Sequence, residues 1–323
     1  MPKAKEVIKP IGGFYDLQLP TGNEYYADLL RLNTGRNALE YILRQKAYSK
    51  IYIPFFTCDV LLEPIKKLGV KYEFYSINER LEPIINFEIE PTACLLYTNY
   101  FGIKHDAVIT LSEQIPNIII DNSQAFYSEP LPGVDTFYSC RKFFGVPDGA
   151  YLNIKKKLNK KLPIDVSYNR VSHLTKSIDL GIEAAYADSL INNKLLENNE
   201  IKIMSNLTKR IMCGIRYDEC AQIRERNFFF LHQHLKEFNL FQFDFPTNKS
   251  PMVYPFLYDD RNLKIHLIQK KIFVPTYWPN VYNWTSAGMY ENYLTTNLVP
   301  LPIDHRYNLK DMFYMLNTLK QVL

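Results

Sequence analysis

At 323 residues the chain exceeds one ordinary core, so two closely associated domains are expected. Hydrophobic residues at 47% and charged residues at 22% suit a globular protein, and a net charge of +4 is too mild to imply a nucleic-acid partner. Five cysteines without CxxC or metal-ligand spacing argue against a disulfide scaffold and for a reducing, cytoplasmic setting. No apolar run approaches the roughly 18 residues of a membrane span, and the N-terminus lacks the form of a secretory leader, so no membrane partner is expected.

In chain order, Asn33-Thr34-Gly35 turns into a helix over 36–44, with Thr34 as N-cap and Leu39, Ile42 and Leu43 on one face. A short strand follows at 51–54, a helix at 59–68, and strands at 70–77, 92–97 and 118–120. The last is short and wholly apolar, as buried parallel strands are. An aromatic-rich strand precedes Ser139-Cys140-Arg141-Lys142, and Asp148-Gly149-Ala150 makes a tight turn into the next strand. The run 155–161 carries five lysines and reads as a solvated loop. Helical, polar sequence continues to about 199 and returns at 224–228. Residues 251–257 and 272–274 read as strands, and 309–323 as a closing amphipathic helix. Strands separated by helix-length segments predict an α/β domain with a mostly parallel sheet over 1–210, and a smaller α+β domain over 211–323.

In such sheets ligands gather at the carboxyl ends of the strands. That rule brings the loops at 34–36, 55–58, 99–102, 121–124 and 139–142 to one edge. An acid closing an apolar strand (Asp121), followed by Ser139-x-x-Lys142 and a glycine turn, has the parts that pyridoxal 5'-phosphate (PLP) chemistry needs. The lysine amine condenses with the cofactor's aldehyde, and the carboxylate keeps the pyridine nitrogen protonated. The turn at Thr34, Gly35 and Arg36 opens a helix whose free N–H groups favour a phosphate. Gln124 can contact a ring placed beside Asp121. Phe143 and Phe144 are expected to desolvate Lys142 and keep its amine nucleophilic. No metal site is expected: His232 and His234, at i and i+2 on a helix, do not share a face. Neither a G-x-S-x-G setting nor a glycine-rich nucleotide loop is present.

Taken together, these segments resemble the sugar aminotransferases of the DegT/DnrJ/StrS type, which are fold-type-I PLP-dependent enzymes. Ile53-Pro54-Phe55-Phe56-Thr57-Cys58 is similar to the family's Val-Pro-Ser-Phe-Thr-Phe stretch. Thr34-Gly35-Arg36-Asn37-Ala38-Leu39 resembles its Gly-Thr-x-Ala-Leu phosphate turn, and Asp121-Asn122-Ser123-Gln124-Ala125 its Glu-Asp-x-Ala-Gln/His-Ala segment. The interval from Lys142 to Gly149 reproduces the spacing from Schiff-base lysine to Glu-Gly-Gly, with Asp148 for Glu and Ala150 for the second Gly. Arg224-Glu225-Arg226-Asn227 resembles the Arg-Arg-x-Asn helix, and residues 298–302 the Leu-Pro segment before the last helix.

The resemblance implies that Lys142 carries the cofactor and shuttles a proton, that Asp121 holds the pyridinium, and that Gln124 contacts the ring or its phenolic oxygen. It assigns the phosphate to the backbone around Gly35 and Arg36, and to Ser139. It also implies a homodimer with shared active sites, acting on small molecules. The reaction would pass an amino group, often from glutamate, to a keto sugar or nucleotide-linked keto sugar in surface-polysaccharide or amino-sugar synthesis. The family's cofactor-stacking aromatic aligns with Cys58, so Phe56 or Phe55 is expected to substitute. The interval from Asp121 to Lys142 is short. The segment after residue 152 is trimmed where the family supplies a partner-subunit phosphate contact, leaving Asn206 as the candidate. Two other readings remain open: a PLP-fold binding or regulatory protein with little or no catalysis, and a PLP-dependent sugar dehydratase. Dehydrating relatives carry histidine in place of the lysine.

Overall fold

The computed structural model describes residues 11–243 and 250–323; residues 1–10, on which the expectation about a leader rests, lie outside them. The chain enters through β1 (Leu30–Leu32) and α1 (Gly35–Lys46). Thr34 takes extended backbone and its Oγ1 accepts the Asn37 N–H at 3.1 Å, so the predicted cap forms and fixes where the helix begins. The face expected from spacing, Leu39, Ile42 and Leu43, is buried against the sheet.

There follow β2 (Lys50–Pro54), α2 (Leu62–Leu68), β3 (Lys71–Tyr75), β4 (Ala93–Thr98), α3 (His105–Gln114), β5 (Ile118–Asp121), β6 (Asp135–Ser139) and β7 (Ala150–Asn153). They form one seven-stranded sheet in the order β1-β7-β6-β5-β4-β2-β3. The run from β6 to β3 is parallel, whereas β7 pairs antiparallel with both β6 and β1. Every residue of β4 and β5 is buried, as the apolar runs that precede their polar last residues, Thr98 and Asp121, predict for strands covered on both faces. The predicted α/β architecture with a mostly parallel sheet is borne out.

The turn between β6 and β7 carries Ser139-Cys140-Arg141-Lys142. Cys140 N–H donates to Gly149 O at 3.1 Å, closing its neck. Asp148 is buried and accepts from Ser205 N–H at 3.0 Å, Ser205 Oγ at 2.7 Å and Thr208 Oγ1, which ties the turn to residues 205 and 208, well beyond it in the chain.

The remainder comprises α4 (Ser172–Leu195), α5 (Asn206–Cys213), α6 (Tyr217–Leu235), β8 (Val253–Leu257), α7 (Leu263–Gln269), α8 (Val281–Trp284), α9 (Tyr290–Asn297), β9 (Leu298–Pro302) and α10 (Leu309–Leu319). β8 and β9 pair antiparallel, and a separate apolar core gathers around them from α6, α7 and α10. Residue 210 lies within α5. α6 bridges the two cores, with Tyr217 and Cys220 in the one beside the large sheet and Phe228, Leu231 and Leu235 in the other.

Residues 272–274 do not form the expected strand. Ile272 and Val274 are buried while Phe273 points outward, so the alternation is real. The Ile272 N–H, however, donates to Leu267 O at 2.9 Å and closes the end of α7 instead of joining a ladder. Among the described residues no helix is long and apolar enough to cross a membrane.

Gly149 has φ +113, and a Cβ there would meet Thr208 Cγ2 at 2.9 Å and Cys140 Cβ at 3.2 Å. Gly149→Ala is therefore expected to destabilise the fold by roughly 1–3 kcal/mol. Urea denaturation checks this; an unchanged midpoint would show that the turn relaxes without cost.

Candidate active site

Parallel pairing sets Thr98 opposite Asp121, and Asp121 opposite Phe137, so the ends of β4, β5 and β6 form one row. The first turn of α1, the loop after β2 and the turn after β6 close around that row. They enclose a cavity of about 560 Å³.

Lys142 ends a 3-10 turn at the exit of β6. Phe143 and Phe144 face the other way, into an aromatic cluster where their rings lie 5.7 Å and 4.9 Å from Phe126. The Arg224 guanidinium sits 4.6 Å over the Phe143 ring. The expected desolvation of Lys142 by these two phenylalanines is thus not found. Their burial instead pins the turn so that the lysine is exposed toward the cavity, where its Nζ donates to Ser123 Oγ at 3.0 Å.

Asp121 is buried, and its Oδ1 accepts the Ser123 N–H at 2.8 Å. Burial holds its carboxyl above the usual aspartate range, against the opposing pull of the Lys142 charge and the Ser123 hydrogen bonds. Gln124 is fully buried. Its Oε1 accepts the Phe101 N–H at 2.9 Å, leaving Nε2 buried without a partner on the cavity wall. Thr98 Oγ1 is likewise buried and unpartnered there. Two orphaned polar groups beside a buried acid match a polar, hydrogen-bonding ring better than an apolar ligand.

Thr34, Gly35, Arg36 and Ser139 line another part of the wall. Thr34 Oγ1 serves Asn37, so the Gly35 and Arg36 backbone N–H groups are the first-turn donors left for an anion. The Arg36 side chain pairs with Glu63 at 2.5 Å, and only its backbone is available. The cavity therefore fits the parts of PLP: an acid and amide donor beside a ring, an amine for the aldehyde, and a helix start for the phosphate.

Cys58 lines the cavity, and burial raises its thiol pKa. Neither phenylalanine expected to take the stacking role reaches the wall. Phe56 is wholly buried with its ring edge-on to Trp278 at 4.9 Å, and Phe55 stacks on Phe74 at 4.8 Å. The aromatic rings on the wall belong to Phe137 at the end of β6 and to Trp278 from the C-terminal part of the chain, the latter backed by Phe56 and stacked on Tyr277 at 5.2 Å. Asn206 is exposed at the start of α5 and does not line the cavity. Sequence reasoning also missed Ser123, Thr98 and Arg141 as wall residues. Arg141 and Ser123 are neighbours of residues it had singled out.

No family model matches the chain, and no curated protein does. Solved structures do. The sugar aminotransferase CalS13 from Micromonospora echinospora is 13% identical, with 91% of this chain and 87% of that one covered at TM-score 0.60. DesV from S. venezuelae, solved in complex with a ketimine intermediate, is 14% identical over 90% and 84% at TM-score 0.61. A DegT DnrJ EryC1 StrS aminotransferase from Brucella abortus is 14% identical over 91% and 85% at TM-score 0.59. This chain has the fold of those aminotransferases, the same group that its sequence segments resemble.

The opposing effects on Asp121 give a check of the geometry. Replacing Lys142 with alanine removes the cation that lowers the Asp121 pKa, so that pKa should rise further. Carbon NMR titration of aspartate-labelled protein reads it; no upward movement would mean that the two groups do not share the cavity.

Proposed function

We propose that this chain is a PLP-dependent aminotransferase. It passes an amino group, with glutamate as donor, to the keto carbon of a sugar or nucleotide-linked sugar in surface-polysaccharide or amino-sugar synthesis. The observation that carries the proposal is the convergence of the Lys142 amine, the buried Asp121 carboxyl and the α1 N-terminus on one cavity. The shared fold of known sugar aminotransferases supports it.

When bound, PLP supplies an aldehyde that condenses with amines and a ring that withdraws electrons from the bond being broken. Lys142 would provide the amine that holds the cofactor, then accept and return a proton at the substrate carbon. Ser123 Oγ, 3.0 Å from Nζ, orients that amine. Asp121 would face the ring nitrogen, whose positive charge would favour the carboxylate that burial disfavours. Gln124 Nε2, held by the Phe101 backbone, is a fixed donor for a ring oxygen. Trp278, held from behind by Phe56 and Tyr277, keeps one side of the cavity apolar. The retention of both Lys142 and Asp121 in one cavity weighs against a purely binding role, and the lysine itself weighs against dehydration.

On the same reading the large cofactor-binding domain is 1–210 and the small domain 211–323, and the protein works as a cytoplasmic homodimer. The dimer is supported by exposed apolar side chains along α4, Ile182, Tyr186, Leu190 and Leu195, which face water in the single chain. Five free cysteines suit the cytoplasm.

Purified protein mixed with PLP is expected to develop a visible absorption band that Lys142→Ala lacks. The wild type with glutamate should release 2-oxoglutarate once per bound cofactor in the absence of an acceptor. Wild-type protein that shows no band overturns the proposal; a band without 2-oxoglutarate release removes glutamate as donor. Sedimentation of the purified chain as a monomer would remove the dimer.

A further inference from the structure

Arg141 stands between Ser139 and Lys142 on the cavity wall, and the structure leaves its charge without a counter-ion. Its Nη2 donates to Asn193 Oδ1 on α4 at 2.5 Å, and its Nε is buried with no partner. Among the described residues no carboxylate lies within ion-pair distance of it. Asp148, whose charge does act on Arg141, is occupied by Ser205 and Thr208. Glu197 also lines the cavity, but it is exposed. Burial first, and the neighbouring Arg36 second, push the Arg141 guanidinium down to about 10. The side chain as a whole is half-buried on the cavity wall, and a guanidinium there with a buried, unpartnered Nε and no ion pair is open to an anion.

The other half of an anion site faces the same space. The Gly35 and Arg36 N–H groups open a helix of 12 residues, and Ser139 adds a hydroxyl. We propose that Arg141, anchored by Asn193, completes with the α1 N-terminus and Ser139 a phosphate-monoester site within one subunit, and that its occupant is the phosphate of the cofactor. Arginine suits this task because its planar fork can meet two phosphate oxygens at once. The lysine turn would then hold both ends of the cofactor through consecutive residues, Lys142 for the aldehyde and Arg141 for the phosphate. This inference rests on the PLP reading.

Apo protein is titrated with PLP and with pyridoxal, which lacks the phosphate. Arg141→Gln should weaken PLP binding roughly 10- to 100-fold and leave pyridoxal within about 2-fold of the wild type, while Arg141→Lys should retain most of the preference. A second measurement needs no variant: in wild-type protein, PLP should protect Arg141 from phenylglyoxal, mapped by mass spectrometry, and pyridoxal should not. Arg141→Gln that keeps the wild-type preference for PLP, or Arg141 labelled equally with and without PLP, overturns the inference alone. If Arg141→Gln keeps that preference but the cofactor-loaded protein loses affinity for uridine diphosphate, the arginine meets a substrate phosphate instead, and the assignment to the cofactor falls. Wild-type protein that binds neither PLP nor pyridoxal overturns the cofactor reading and this inference with it.

Discussion

The parallel pairing of β4, β5 and β6 is the constraint on which the site depends. It sets Thr98, Asp121 and Phe137 in one row, so that a single buried edge carries an unpartnered hydroxyl, an acid and the approach to the lysine turn. Side chains alternate along a strand, and a slip of one residue in β5 would turn Asp121 to the opposite face. The apolar run of Ile118, Ile119 and Ile120 is buried on both sides of the sheet, Ile118 and Ile120 in one core and Ile119 in the other. The same burial makes the Asp121 carboxyl costly to ionise, which is why a cation beside it matters.

Lys142 owes its position to the C-terminal part of the chain as much as to β6. Arg224 is fully buried in α6, lies over the Phe143 ring, and donates to the carbonyls of Pro251 and Met252, at 3.4 Å and 3.1 Å. It joins the residue after the lysine to the segment that leads into β8. Trp278 makes a second connection, since it reaches the cavity from the segment before α8 and rests on Phe56 from the loop after β2. The cavity therefore draws on the C-terminal part of the chain as well as the large sheet, because Met252 and Trp278 pack into the same core as Phe56 and Phe143.

What was legible in the sequence was local. Asp121, Lys142, Gly35 and Ser139 each sit where a strand ends or a helix begins, and those boundaries follow from apolar period, capping and turn residues over short windows. Side-chain direction was less legible. Phe143 and Phe144 follow the lysine in sequence and were expected to surround it, yet the 3-10 turn sends them into the Phe126 cluster and leaves the amine facing the cavity. Phe56 was expected at the wall and lies behind it, because Trp278 occupies the front. No spacing rule links residues so far apart in the chain; only packing does. The 272–274 segment shows the converse, a strand-like alternation whose backbone donor was already taken by a helix end.

Mapping the covalent partner of the cofactor tests the central claim most directly. Protein incubated with PLP, reduced with borohydride and digested is expected to carry the pyridoxyl group on Lys142 alone, at one per chain. Reduction that instead spreads the group over exposed lysines such as those at 155–161, with Lys142 unmodified, would contradict the account.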